Sequence, residues 1–331
     1  MNDGKEMEYQ QNKVPTEGKK TYIGGIGFLI LFFSLIYLVT VFISFKILKN
    51  RKLELIPKDR GIVKIEQKAK ICVIPIYGTI YKRESSISEK GSDYIVSMIK
   101  KYGEDKNIKG IVLDINSGGG SVGAVQEIYS QIKKIKQKYK KPFVAHLGDV
   151  GASGAYYIAS ACDKIIVDSG TITGSIGVIF SFIEGNELFK KIGLKTNVIK
   201  SGKFKDIGSF SREMTKEEKE LLGAMIEDTY NTFVDVVATH RNMSREKVKE
   251  IADGRIFTGR QAVSLGLADG IGDLYDAIDE AGKLSGLGEN PSFIKARGRI
   301  FDELLFIMDS KLGIFGEFKR NYPVLEYRVS F

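Results

Sequence analysis

Residues 143–161, FVAHLGDVGASGAYYIASA, constrain the fold more than any other stretch of this chain. Phe143 to Leu147 is a short, mainly apolar run of strand character. The chain then turns through Gly148, Gly151 and Gly154 and enters a small-residue, helix-compatible segment, Ala155 to Ala161. A strand passing through a glycine turn into a helix is the repeating unit of α/β folds. Within the turn, Ser153 would hold its hydroxyl at the positive end of the helix, with little side-chain bulk around it. Small neighbours let a substrate backbone approach, and the first helical N–H groups can hold an oxyanion, so the position suits a nucleophile. The plainer alternative is that Ser153 only caps the helix.

The same alternation extends in both directions. Ile71 to Tyr77 reads as a strand, Ser92 to Tyr102 as an amphipathic helix, and Gly110 to Ile115 as a buried strand. The loop NSGGGS then leads into a helix from Val122 to Lys138. After the Ser153 turn, Lys164 to Val167, Thr173 to Phe180 and Thr196 to Ile199 carry strand patterns, with a helix at Glu187 to Ile192. The expected architecture is α/β with a largely parallel, covered sheet. From Thr215 the chain becomes helical. Thr215 and Glu218 form a capping box for a helix reaching about His240, Ser244 caps another, and Gly259 to Leu265 and Asp273 to Leu284 follow. The last forty residues, Phe301 to Met308 among them, carry the least legible pattern, and an apolar, strand-like piece lies near Val324 to Phe331.

Ile23 to Phe45 contains no charged residue. As a helix it spans roughly 34 Å, enough for a bilayer core of about 30 Å. It is longer than a cleavable signal core, and no small-residue cleavage site follows it, so it reads as a single membrane anchor. The expected division is a polar tail (1–22), the anchor (23–45), a basic linker (46–68), a globular domain (69–286) and a C-terminal segment (287–331). Lysines and arginines flank the anchor on both sides, and their count alone leans toward a cytoplasmic C-terminal domain. The net charge of +9 fits an anionic membrane surface. No aromatic-interleaved basic motif of a nucleic-acid module is present, and the lysines alternate with glutamates on helical faces such as Lys216 to Glu220. The two cysteines, Cys72 and Cys162, lie in apolar runs without metal-ligand spacing and read as buried free thiols.

The loop SGGGS at 117–121 exposes consecutive N–H groups to negative charge. Gly118, Gly120 and Gly123 match G-x-G-x-x-G, but no acidic residue ends the following strand at the spacing a dinucleotide needs. A cradle for an oxyanion or a substrate backbone uses the same N–H groups. A nucleophilic Ser153 needs a base. His240 follows it in the order of α/β hydrolases, although its place at a polar helix end reads as a solvated histidine favourable to the helix dipole, and His146 reads as a packed strand residue. The other candidates are Lys200, Lys203 and Lys205 in KSGKFKDIGS. Lysine has an ordinary pKa near 10.4, so it serves as a base at neutral pH only where the fold lowers that value.

Five separated motifs, DINSGGGSV, GASGAYYIAS, TGSIGVI, SGKFKDIGSFSREMT and DGRIFTGRQAVSLGLADGIG, resemble the signal peptide peptidase A (SppA) family of membrane-anchored serine peptidases over about residues 70–285. The chain looks like the half-length form, with one catalytic unit. The resemblance implies the Clp protease/crotonase-like spiral of ββα units. It also implies a Ser–Lys dyad in which Ser153 is the nucleophile, Lys205 the general base and Ser175 the residue that orients the lysine. Gly119 and Gly154 would form the oxyanion hole. The family usually carries proline where Gly118 stands, which predicts a looser loop here. No metal or organic cofactor is implied. The implied substrates are signal peptides and other unfolded segments, bound by strand addition. The resemblance further implies a ring-shaped homo-oligomer whose dyad meets across a subunit boundary, and a catalytic domain outside the cytoplasmic membrane. Thr173 to Phe180 and the apolar C-terminal tail are expected as interface and groove segments. The rival readings are an esterase using His240 and a noncatalytic membrane-tethered assembly module.

Overall fold

The computed structural model describes residues 31–44, 46, 69–82, 91–296 and 326–328. The chain divides into two units, Met1–Glu66 and Gln67–Phe331. In the first, residues 31–44 form helix α1, whose apolar side chains, Leu31, Phe33 and Phe42 among them, are exposed. The rest of the expected anchor, the tail and nearly all of the linker lie outside the described residues. Among the described residues no helix is long and apolar enough to cross a membrane.

The second unit begins with strand β1 (Lys70–Tyr77), helix α2 (Ser92–Glu104) and strand β2 (Ile108–Ser117). The short β3 (Gly119–Ser121), helix α3 (Val122–Tyr139) and β4 (Phe143–Ala152) follow. Next come α4 (Gly154–Ser160), β5 (Lys164–Val167), β6 (Ile172–Gly174) and α5 (Asn186–Lys191). The long α6 (Lys216–Arg241) leads to α7 (Arg245–Ile251), β7 (Ile256–Thr258), α8 (Gly259–Ser264), β8 (Gly270–Ile271) and α9 (Leu274–Leu284). Two short strands close the described chain, β9 (Phe293–Lys295) and β10 (Glu326–Arg328).

The main sheet runs β9–β1–β2–β4, all parallel. The far edge of β4 is shared. Val144–Leu147 pair with β5 and Val150–Ala152 pair with β6; the strand expected to end at Leu147 with a turn at Gly148 instead runs on to Ala152, with a register shift against β2 between Ile115 and Ser117. Both faces of the centre are covered. On β2, Ile111, Leu113 and Ile115 join Val125, Ile128 and Ile132 of α3 in the larger core. Val112 points the other way and meets Ile71, Val73, Val144 and the α9 residues Ala277, Ile278 and Ala281. Burial on both sides is why GIVLDI reads as a continuous apolar run rather than an alternation. Its one charge, Asp114, is held by the Tyr77 hydroxyl and by His146 Nδ1 at 3.0 Å. His146 is buried, as expected of a packed strand residue, although its carboxylate partner was not read from the sequence.

The capping residues behave as the sequence predicts. Thr215 and Glu218 form a reciprocal box at the start of α6, and Ser244 caps α7. Cys72 and Cys162 are free and buried, and burial raises both thiols to about 12. Three expectations are corrected. Thr173–Phe180 is not one strand: Thr173 and Gly174 end β6, the chain turns at Gly174 and Ser175, both at positive φ, and Ile179 makes a single antiparallel bridge to Glu326. Thr196–Ile199 is not a strand: among the described residues no strand pairs with it, and Val198 and Ile199 face outward. His240 is not a solvated helix end. It is half-buried, its Nε2 lies 2.8 Å from the Tyr129 hydroxyl, and burial lowers its pKa, with Lys136 and Lys133 adding to the effect.

Candidate active site

Ser153 joins β4 to α4 with φ 54° and ψ −119°. A non-glycine residue in that region costs on the order of 1–3 kcal/mol and persists only where its surroundings hold it. Here they do. The Ser153 N–H donates to Gly174 O at 2.8 Å, and Ser153 O accepts from the Tyr157 N–H at 2.9 Å. Ser153 is almost completely buried and makes no side-chain capping bond to α4. The capping alternative therefore fails, and the hydroxyl is left for another task. The flanking glycines are required by space. A methyl at Gly151 would lie 2.8 Å from the Leu147 side chain, and one at Gly154 would lie 2.7 Å from Val125 Cγ2.

Ser153 and Ser175 each follow the last residue of a paired strand: Ala152 pairs with Gly174 in parallel, and the Ser153 N–H reaches Gly174 O. Ser175 is buried at φ 48°, and its N–H donates to Arg255 O at 2.8 Å. On the opposite side stands the glycine loop. Gly119 has φ +95°, a conformation natural to glycine alone. A methyl there would lie 2.6 Å from Gly154 N, so the two predicted oxyanion glycines are neighbours. They are not equivalent as donors. The Gly119 N–H donates to Ser117 Oγ at 3.1 Å, whereas Gly154, the first residue of α4, has an N–H with no intrahelical acceptor. Nor is the loop loose. Ile80 flanks β3 through Ile80 N–H to Gly119 O and Ser121 N–H to Ile80 O, both 2.9 Å, and β10 pairs along the other edge.

Lys205 stands apart from this cluster. It is exposed in the irregular segment before α6, its N–H turns back to Gly202 O, and no hydrogen bond or ion pair among the described residues engages its ammonium. Lys200 is engaged with Asp206 Oδ1 at 2.6 Å, and Lys203 pairs with Glu217. The segment carrying Lys205 is itself anchored. Arg212 grips Asp206 through Nε at 2.9 Å and Nη2 at 2.7 Å, and reaches Glu218 of the α6 cap through Nη1 at 2.9 Å. That clamp was missed in the sequence: it joins Asp206, Arg212 and the box residue Glu218 through the fold of the loop.

A parallel α/β sheet whose central strand ends in an uncapped, sterically held serine at a helix start is the architecture of an α/β serine hydrolase. Comparison with known proteins narrows the class. The model of peptidase family S49 matches residues 135–288, and that of the Clp protease matches residues 76–165. Slr0021 of Synechocystis sp., provisionally named a protease, is 44% identical over 68% of this chain and 77% of its own length. A protein of Enterococcus faecium provisionally named signal peptide peptidase SppA is 42% identical over 57% of this chain and 54% of its own. The chloroplastic serine protease SPPA of Arabidopsis thaliana is 34% identical over 63% of this chain and 31% of its own. The chain belongs to the S49 peptidase family, in its signal peptide peptidase A branch, and is a serine peptidase with a Clp-protease-like α/β domain.

Proposed function

We propose that this chain is a membrane-anchored endopeptidase that degrades signal peptides and other unfolded segments with a Ser153–Lys205 dyad. Ser153 Oγ attacks the scissile carbonyl while Lys205 takes its proton. The lysine then protonates the leaving amine, and water hydrolyses the resulting ester by the reverse sequence. Gly154 supplies the first oxyanion donor, and Gly119 joins it once its N–H leaves Ser117 Oγ. Ser175 orients the lysine. The observation that carries the reading is the strained, uncapped Ser153 before the Gly154 N–H, its own N–H held by Gly174 O.

Lys205 acts on the serine of an adjoining copy in a homo-oligomeric ring. The support is local. Its segment and the chain leading to it expose Ile183, Leu188, Ile192, Leu194, Val198 and Ile199, an apolar surface that a neighbouring copy would cover. Residues 23–45 anchor the chain, supported by their uncharged length, and the peptidase domain works outside the cytoplasmic membrane. The His240 esterase reading loses ground because that ring is engaged by Tyr129.

The test is hydrolysis of a denatured protein by the detergent-solubilised chain, comparing wild type, Ser153→Ala, Lys205→Ala and a mixture of the two variants. Both variants should lose activity with the oligomer intact, and subunit exchange in the mixture should restore part of it. Near-normal activity of Lys205→Ala would refute the lysine base.

A further inference from the structure

We infer that the turns entering β2 and β4, residues 104–109 and 138–141, form a lysine face that docks on an anionic phospholipid bilayer. The face is distinct from the Ser153 site, and its docking does not depend on the peptidase chemistry or on residues 23–45.

The charge is written in the sequence. Residues 133–141, KKIKQKYKK, hold six lysines and no acid, and residues 100–109, KKYGEDKNIK, add four against Glu104 and Asp105. The fold gathers them. Helices α2 and α3 pack on the same core, and each leads into the start of one of two paired parallel strands, so their turns meet at one end of the sheet. Lys141 ties the turns together, its Nζ donating to Asp105 O at 2.6 Å and to Tyr102 O at 3.2 Å. Burial lowers the Lys141 pKa; Asp105 opposes the shift and Lys109 adds to it, which sets Lys109 close to the same charge.

Lys106, Lys109, Lys138 and Lys140 are exposed, and among the described residues no ion pair engages any of them. Several lysines elsewhere on the domain face carboxylates instead, as Lys190 does Glu187 at 2.7 Å and Lys283 does Glu289 at 3.2 Å. A lysine in the last turn of a helix also offsets the helix dipole, which accounts for Lys138. It does not account for Lys106 and Lys109, which lie outside both helices.

Three observations select a bilayer as the partner. Clustered, unpaired lysines are drawn to anionic headgroups without any shaped pocket. Residues 46–68, with eight lysines and arginines against three acids, continue the same charge, and the chain goes on from them to Lys70, whose N–H donates to Asn107 O at 2.9 Å in the first turn. Single-stranded nucleic acid, by contrast, is held by bases stacked on open aromatic rings. Here Tyr102 is buried, and the Tyr139 ring carries the Lys138 and Lys141 ammonium groups at 5.1 and 5.9 Å from its centre. The face lies where β4 starts, whereas Ser153 follows the other end of that strand.

The experiment is lysine footprinting of the full chain with a membrane-impermeant acetylating reagent, read by mass spectrometry. The chain is mixed with vesicles of phosphatidylcholine alone, or of phosphatidylcholine with about one-third phosphatidylglycerol. Lys106, Lys109, Lys138 and Lys140 should react about fivefold or more slowly on the anionic vesicles, and raising sodium chloride to about 0.5 M should abolish the difference. Lys216 and Lys219 of α6 should react equally on both. Lys106→Glu, Lys109→Glu and Lys138→Glu together should remove the protection of Lys140 while hydrolysis of denatured casein in detergent stays unchanged. Equal reaction on the two vesicles, or equal protection on both, would overturn the anionic face. Protection by a uridine oligonucleotide but not by anionic vesicles would overturn it in favour of nucleic acid. A chain that floats with anionic vesicles and not with neutral ones would strike the membrane anchor while upholding the face, and loss of Ser153-dependent casein hydrolysis in the wild type would strike the peptidase reading alone.

Discussion

At Ser153 the backbone stores strain, and the sheet supplies what holds it. Its N–H is committed to Gly174 and its carbonyl to α4, so the side chain can change while the turn keeps its shape. Ser153→Ala should therefore fold normally and lose at least about 10³-fold in peptide hydrolysis, measured against wild type with matched thermal melts. Gly119→Ala is a harsher change. Its positive φ, and Tyr327 O, which an added methyl would meet at 1.9 Å, leave no room for a side chain, so hydrolysis should fall by about 10²-fold or more. His240 gives the contrasting case. His240→Ala should retain activity within about threefold and cost about 1 kcal/mol of stability, because the Tyr129 hydroxyl loses its partner. A His240 variant without activity would revive the esterase reading.

Among the elements, the N-terminus of α6 matters most, since its cap also anchors the segment that carries Lys205. Hydrogen bonds from Arg212, then the Thr215 backbone, lower Glu218 to about 2, and Arg212 followed by Lys200 holds Asp206 below the ordinary carboxylate range. Because both values are depressed, the clamp is complete above the ordinary carboxylate range, near pH 4, and is lost as pH falls through the lowered values. The protection of residues 200–212 from hydrogen exchange, taken relative to the intrinsic rate at each pH, should be high at neutral pH and fall on acidification toward pH 2. Arg212→Ala should raise exchange already at neutral pH and lower peptide hydrolysis by about tenfold. Unchanged exchange in that variant would dismiss the clamp. The caps of α6 and α7 were legible because Thr215 with Glu218, and Ser244, act within one helical turn. The clamp itself depends on a loop fold that local spacing does not specify.

For the molecule as a whole, the exposed apolar side chains from Ile183 to Ile199 and the exposed Lys205 give the proposed oligomer its test. Ile199→Asp together with Leu194→Asp should shift the assembly toward monomer in light scattering and lower hydrolysis in step. Full activity in a monomer would place the base within one chain. The main sheet was readable because β1, β2 and β4 are buried on both faces, and such strands announce themselves as apolar runs. The short strands β3, β7, β8 and β9 were not, because two or three residues carry no period. Thr196–Ile199 misled for the opposite reason: its residues favour a strand, and among the described residues no strand pairs with it.

Composition and local pattern determined the α/β class, the strand-to-helix turn at Ser153, the helix caps and the uncharged run at 23–45, because each depends on neighbours within a few residues. The tertiary structure decided what depends on distant partners. It paired the ends of β4 and β6, which lead into Ser153 and Ser175, and turned His240 toward Tyr129. It also placed Tyr327 against glycines some two hundred residues earlier in the chain. Strand register and side-chain burial are properties of the assembled sheet, and no window of sequence contains both partners.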